Sequence, residues 1–511
     1  MRSKTAAALL VLLAALAASV GPAVRGLAQE AVTAGMPAGV TPTGAELLRE
    51  LLEARLAELT APRFGRPRLD RAPEVEVAPD DGYYEVRVPS LRVVLTNGWL
   101  VEALDLHARA TPTAGGGWEV TGTLPVPLAV YSAEGFRAGE LTLGRQSFKG
   151  RWSPDLRTLE ALDASVRDLL FTPRDGTGTL QAAAVTVKMA PESYADGRWT
   201  GPATVTLSEL SMNGADGQAA LALTKLTAKL RVEDLDVARY AAWNAALARR
   251  AAVDDGQEGL TAAEREALQQ ALPNLDGLLS RAQAEVEVRG LRRRFADGTR
   301  SALDSATWTL AADGLQGERV RLSLDYAHKG LVADGPSVKR PVVPGRGEIR
   351  LTAEDLPRRA LLDAWTRRLA EEPAIGGGAA RENFDRRILT ALGDAGAEVR
   401  LDRLGFEAQE AGATANGIVS FDDATAHGLL GGLSMTLRGF DALIAQATDG
   451  YRMRNTGAAL GLFALQGLGS PDTDREGRAT RAYRLEVAPD GRILLNGTEV
   501  TSLITGLMAL R

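Results

Sequence analysis

His107, His328 and His427 are the only histidines in the 511 residues, and there is no cysteine. The three lie far apart, and none has a second histidine within a helical turn, the local pairing from which zinc sites are usually built. Each is read as a surface or hairpin residue. Thiolate chemistry is closed to a chain without cysteine. Ser434 sits in Gly432-Leu433-Ser434-Met435-Thr436, which lacks the second glycine of the strained elbow that exposes a serine nucleophile. Gly376-Gly377-Gly378 lacks the Lys-Ser/Thr of a phosphate loop and falls between two helical stretches, so it reads as a linker. Asp472, Asp474, Glu476 and Gly477 match the first half of a calcium loop. The residue that should close the cage with a bidentate carboxylate is Tyr483, which leaves a solvated charged loop. A glycosidase pair of carboxylates leaves no local motif, but aromatic residues, which line sugar clefts, make up only 5% of the chain. A hydrolase therefore ranks third among the functions considered. No catalytic, metal or cofactor-binding residue is assigned, no cofactor is expected, and the chain is read as non-enzymatic.

The first residues have the three parts of a secretory signal: a basic start at Arg2 and Lys4, an apolar run from Ala6 to Val20, and a break at Gly21-Pro22. Small residues at Gly26 and Ala28 place cleavage before Gln29. The apolar run has 15 residues, where a spanning helix needs about 20. No later stretch is long and apolar enough to span, so the expected location is the periplasm. Removing residues 1–28 leaves 56 basic against 65 acidic side chains, a net of −9. That balance argues against nucleic acid, whose phosphates call for a clustered basic surface. Without disulfides in an oxidising compartment, stability must come from apolar burial, and 45% hydrophobic residues can supply it.

The elements that could position a site are mostly strands. A capping box at Thr43 and Glu46 opens an amphipathic helix with Leu47, Leu48, Leu51, Leu52, Leu56 and Leu59 on one stripe, ending near Pro62. Beyond it, period-two alternation recurs: Val185, Val187 and Met189; Val205 and Leu207; Val286 and Val288; Val320, Leu322, Leu324 and Tyr326; Ile349 and Leu351; Val399 and Leu401; Leu485 and Val487. The residues between them are polar or charged. Asp-Gly occurs eleven times and Asn-Gly four, supplying the positive φ of tight hairpins such as those at Asn97-Gly98 and Asp490-Gly491.

A weak repeat marks strand ends: Val166-Arg-Asp-Leu169, Val232-Glu-Asp-Leu235, Val288-Arg-Gly-Leu291 and Leu437-Arg-Gly-Phe440. Helices are expected after several strands, over Asp236–Ala252, Pro357–Ala370 and Asp441–Thr448, with a second capping box at Thr261 and Glu264. The fold class is therefore α+β and β-rich, a long curled antiparallel meander sheet with repeated strand-turn units and two or three helical excursions. The expected organisation is a signal peptide 1–28, a leader and helix 29–62, an N-terminal β-rich region 63–282, a central one 283–393, and a strand-helix-hairpin region 394–511.

From about residue 395 onward the chain resembles an uncharacterised family of alphaproteobacterial periplasmic proteins, the domain of unknown function 2125. The resemblance is carried by Gly417–Phe421, by Met435-Thr-Leu-Arg-Gly-Phe-Asp-Ala-Leu-Ile444, by Leu460–Leu465, and by the closing hairpin around Asp490-Gly491 and Asn496-Gly497. More remotely, the repeated strands are similar to AsmA-like envelope proteins, whose curled sheet encloses an apolar groove implicated in lipid handling. The N-terminal transmembrane anchor usual there is absent here. Alternation places Val185, Val187, Leu207, Val288, Leu322, Leu324 and Leu351 on one concave apolar face. The resulting expectation is a periplasmic envelope protein binding an apolar ligand, a lipid, on that face. The alternative is an envelope scaffold or assembly partner, bound to another envelope protein, whose sheet core is sealed by its own helices.

Overall fold

The computed structural model describes residues 39–60, 67–114, 116–153, 158–176, 178–214, 217–240, 242–243, 262–335, 343–375, 377–448, 465–474 and 476–502. The signal segment, Gln29, most of the helix expected from Asp236, Thr261, Gly376 and residues 460–464 lie outside these. The chain divides into two compact units, Met1–Ala282 and Gln283–Arg511.

In the first unit a helix, Pro42–Glu58, precedes the strands. Its N-cap is Thr41, not Thr43: the Thr41 hydroxyl accepts from the Gly44 amide at 3.0 Å and Pro42 takes the first helical position. The missing N–H of a proline costs nothing there, so the helix starts two residues earlier than the expected box. Glu46 pairs instead with Arg49, and the helix stops at Glu58, short of Pro62. Leu48 with Leu51, Leu52 and Leu56 packs on Val75, Tyr84, Val86, Val88, Ala110 and Trp118.

The strands that follow are Tyr84–Val94, Leu100–Pro112, a broken line of Trp118–Thr123 and Leu128–Tyr131, a second broken line of Arg137–Thr142 and Gln146–Ser153, then Thr158–Pro173, Gly178–Met189, Arg198–Gly214 and Ala219–Asp236. Each line runs antiparallel to the one before it in sequence. The Asn97-Gly98 turn joins the first two with Gly98 at φ +82°, where a Cβ would be strained.

The second unit takes in strand Arg281–Arg294 from Gln283 onward, then Arg300–Asp313, Arg319–Lys329 continued by Val332–Asp334, Arg346–Pro357, Glu398–Glu407, Gly412–Phe421, Leu429–Arg438, the short Ser470–Thr473, Ala479–Val487, Ile493–Leu495 and Thr498–Glu499. From Arg300 onward they pair antiparallel in chain order, except that Leu429–Arg438 and Ser470–Thr473 both pair with Ala479–Val487. Two helices, Arg358–Ile375 and Gly377–Ala395, are inserted between neighbouring strands, so Gly377 and Gly378 open a helix where a linker was expected. A third, Phe440–Thr448, follows strand Leu429–Arg438. The β-rich α+β antiparallel meander expected from the period-two pattern is the fold observed in each unit.

The four-residue repeat stands at a strand end in two copies, Val232–Leu235 and Leu437–Phe440, and runs through the strand in the other two. Val166–Leu169 lies within strand Thr158–Pro173, and Val288–Leu291 lies within Arg281–Arg294. In each copy the third residue has left-handed backbone: Asp168 at φ 53°, Asp234 at 54°, Gly290 at 63° and Gly439 at 78°. Glu209 and Asp355 repeat it in Leu207-Ser-Glu-Leu210 and Ala353-Glu-Asp-Leu356, at φ 50° and 54°. Two residues three apart on a regular strand point to opposite faces; one left-handed residue between them resets the alternation. Leu207 and Leu210 are accordingly both buried, as are Val232 and Leu235. At Asp234 and Asp355 the ladder register also shifts, as at a β-bulge.

Candidate functional site

Residues directly opposite in a ladder share a face, so the registers of the second unit define its two sheet surfaces. One row runs Leu310, Leu324, Leu351, Leu401, Gly417, Leu433, Leu485 and Leu495. The next runs Trp308, Tyr326, Ile349, Leu404, Ala415, Met435 and Tyr483. On the other side lie Ala312, Leu322, Ala353, Val399, Val419, Gly431, Val487 and Ile493. The face is apolar across seven or more strands.

The opposite face is charged. Arg350 meets Asp325 at 2.8 Å, Arg403 meets Glu348 at 2.5 Å, and Glu354 takes both Arg321 and Arg400 at 3.4 Å. These pairs are mostly exposed and contribute little to stability. Their main effect is to keep this face in water and so fix which face must find an apolar partner.

Helices cover the apolar face at two places. Leu361, Ile388 and Leu392 of the helix pair pack on Val320, Ala353, Leu356 and Phe421. Phe440 and Ile444 of the third helix pack on Met435, Leu437, Tyr483 and Leu495. Toward the Arg300–Asp313 end of the sheet, on that strand and on Arg319–Lys329, Leu310 stays 55% exposed, Trp308 39%, Leu322 38% and Leu324 36%. Four large apolar side chains adjacent on one face are unusual for a surface that touches only water.

The seven residues expected to share a groove are not alike. Leu322, Leu324 and Leu351 fall on the apolar face just described, with Leu324 and Leu351 directly opposite. Val185 and Leu207 are also directly opposite each other, in the first unit, but they are 6% and 2% exposed and form core. Val187 sits two residues on, paired with Val205, and is half-buried; Val288 is half-buried in strand Arg281–Arg294. Trp308 and Leu310 share the face of Leu324 and Leu351, and the alternation Ala306, Thr307, Trp308, Thr309, Leu310 is the sequence signal that finds them.

His328 is not a surface residue. It is 4% exposed, in the same face as Tyr326, whose hydroxyl is 2.9 Å from His328 Nδ1; Nε2 lies 2.9 Å from the Pro344 carbonyl. The rings of Trp308, Tyr326 and His328 follow one another at centroid separations of 5.4 and 5.5 Å. His107 lies among Asp105 and Glu85 at 3.3 and 3.5 Å, half-exposed, and His427 contacts the Gly491 carbonyl at 2.8 Å. Asp472 lies in strand Ser470–Thr473, Asp474 accepts from the backbone amides of Glu476 and Arg478, and Tyr483 is buried with its hydroxyl donating to the Leu465 carbonyl at 2.7 Å. Ser434 lies opposite Asn416 and Arg484, neither of which can act as its base. Among the described residues no group of His, Asp and Glu is arranged to hold a metal ion, and no helix is long and apolar enough to cross a membrane.

No family model matches the chain, and no curated protein matches it in sequence.

Proposed function

We propose that this protein is a non-enzymatic, exported envelope protein that binds lipid on the apolar sheet face of its second unit. The observation that carries the reading is the uncovered stretch of Trp308, Leu310, Leu322 and Leu324 on a sheet whose other face is charged. The uncovered stretch from Trp308 to Ala312 spans roughly 13 Å at about 3.3 Å per residue, close to the depth of one leaflet of a bilayer's hydrocarbon core, about 15 Å. The resemblance to the periplasmic family and to AsmA-like proteins belongs to the same reading.

The competing scaffold reading draws on the helices, which cover the Val320–Phe421 and Met435–Tyr483 patches. Binding of a lipid with a fluorescent acyl chain separates the two. The lipid reading expects saturable binding that Leu324→Glu and Leu310→Glu abolish; a protein whose wild-type form takes up no probe would be the scaffold. Export is tested by intact mass of the protein from its native source, with Gln29 the expected first residue and a retained Met1 the contrary result.

A further inference from the structure

Resting on the lipid reading above, we propose that the lipid head is held at one end of the apolar face and is a zwitterion carrying a phosphate and an amine. Along the strands from Leu310, Leu324 and Leu351, the rows are Trp308, Tyr326 and Ile349, then a covered row of Ala306, His328 and Gly347, the first two 1% and 4% exposed. One step further come Asp304 and Gly330, with Gly345 bonded beside them through the Leu331 amide at 3.3 Å. Here the row has two glycines in place of side chains, and the Asp304 carboxylate lies over Gly330 so closely that a Cβ there would collide with it.

At this rim a cleft of about 590 Å³ is lined by Asp304, Lys329, Gly330, Gly345, Arg346 and Glu407, among others. The volume is within the roughly 300–1,000 Å³ of small-molecule sites and much larger than a lone carboxylate needs. Lys329 and Arg346 are direct ladder partners on the charged face, so the cleft sits where the two faces meet. Two further cations of the wall are committed elsewhere. Arg438 donates to the carbonyls of Ala408, Gln409 and Ala411, and Arg478 binds Asp474 at 2.7 Å and Glu476 at 2.5 Å.

The groups left for a ligand carry both signs. Asp304 and Lys329 make no ion pair among the described residues, and Arg346 reaches Glu407 only at 4.0 Å with both side chains largely exposed. A phosphate fits Lys329 and Arg346, and an amine fits Asp304. A purely acidic head would bring its charge against Asp304 and Glu407, and a free fatty acid would leave Asp304 unmatched.

The test uses the full chain with phosphatidylethanolamine, phosphatidylglycerol and free fatty acid bearing the same fluorescent acyl chain. The wild type should hold phosphatidylethanolamine about tenfold more tightly than the other two, the effect of one modest charge contact. Asp304→Asn should remove that preference, and Lys329→Ala should weaken all three probes, since each brings an anionic phosphate or carboxylate to that cation. Asp304→Ser serves as the second variant if melting shows that the first is misfolded. Equal binding of all three probes to the wild type, or a preference that survives both Asp304 variants, would overturn the head assignment while leaving the apolar face as the lipid site. Preference for phosphatidylglycerol would overturn it too, in favour of an acidic head. Absence of all binding would remove the lipid reading itself.

Discussion

At the scale of single residues, leucines that look alike in sequence should respond in opposite ways to the same substitution. Leu207→Glu buries a carboxylate in core that is 2% exposed, and the cost of several kcal/mol should unfold the first unit. Leu324→Glu and Leu310→Glu enter a face already open to water, and should leave the melting temperature within a few degrees of wild type while removing lipid binding. Thermal melts monitored by circular dichroism, beside the probe-binding assay, check both halves. His328→Gln should lower stability by about 1–3 kcal/mol, because the Tyr326 and Pro344 contacts are buried and a shorter, differently shaped amide cannot satisfy both. Denaturant unfolding of that variant measures it, with His107→Gln, on an exposed ring, as the neutral control. Sequence alternation assigns faces to Leu207 and Leu324 equally well, but it contains no information about which face a distant helix will cover. The same limit hid His328: spacing excludes a metal pair, yet only the ladder register places its ring beside Tyr326 and under Pro344.

At the scale of elements, the four-residue repeat is the device that keeps long strands in phase with the core. Its third position needs left-handed backbone, which glycine adopts freely and aspartate tolerates, whereas β-branched residues do not. Asp168→Gly should therefore be nearly neutral and Asp168→Val destabilising by about 1–3 kcal/mol. Gly439→Ala should be worse than an ordinary left-handed glycine substitution, since the new Cβ would run into the Glu410 carbonyl and Ala411. Urea unfolding of the three variants ranks them. The repeat itself was legible in Val166–Leu169 and Leu437–Phe440; its role was not, because an apolar pair three apart is equally compatible with a strand that ends. The hairpins at Asn97-Gly98 and Asp490-Gly491 were fully legible, as two-residue turn chemistry is local. The helix start was misplaced by two residues because Thr41-Pro42 and the Thr43-Glu46 box are both valid caps, and only packing of Gly44 against Tyr84 favours the first.

At the scale of the whole molecule, the two units use their apolar faces differently. The first unit's aligned apolar residues Val185 and Leu207 are consumed as core, while the second leaves Trp308, Leu310, Leu322 and Leu324 uncovered. A chain without cysteine or a metal cluster among its described residues gains its stability from such burial, so an apolar stretch left open forgoes stability that a few more helical residues could have supplied. On the proposed reading a bound lipid covers it, and added lipid should raise the unfolding temperature in a concentration-dependent way. The most direct measurement is lipid mass spectrometry on organic extract of the protein purified from its native source without detergent, run in parallel on the Leu324→Glu variant. Lipid at near one-to-one stoichiometry in the wild type and its loss from the folded variant is the expected result; a lipid-free wild type, or equal lipid in both, would contradict it.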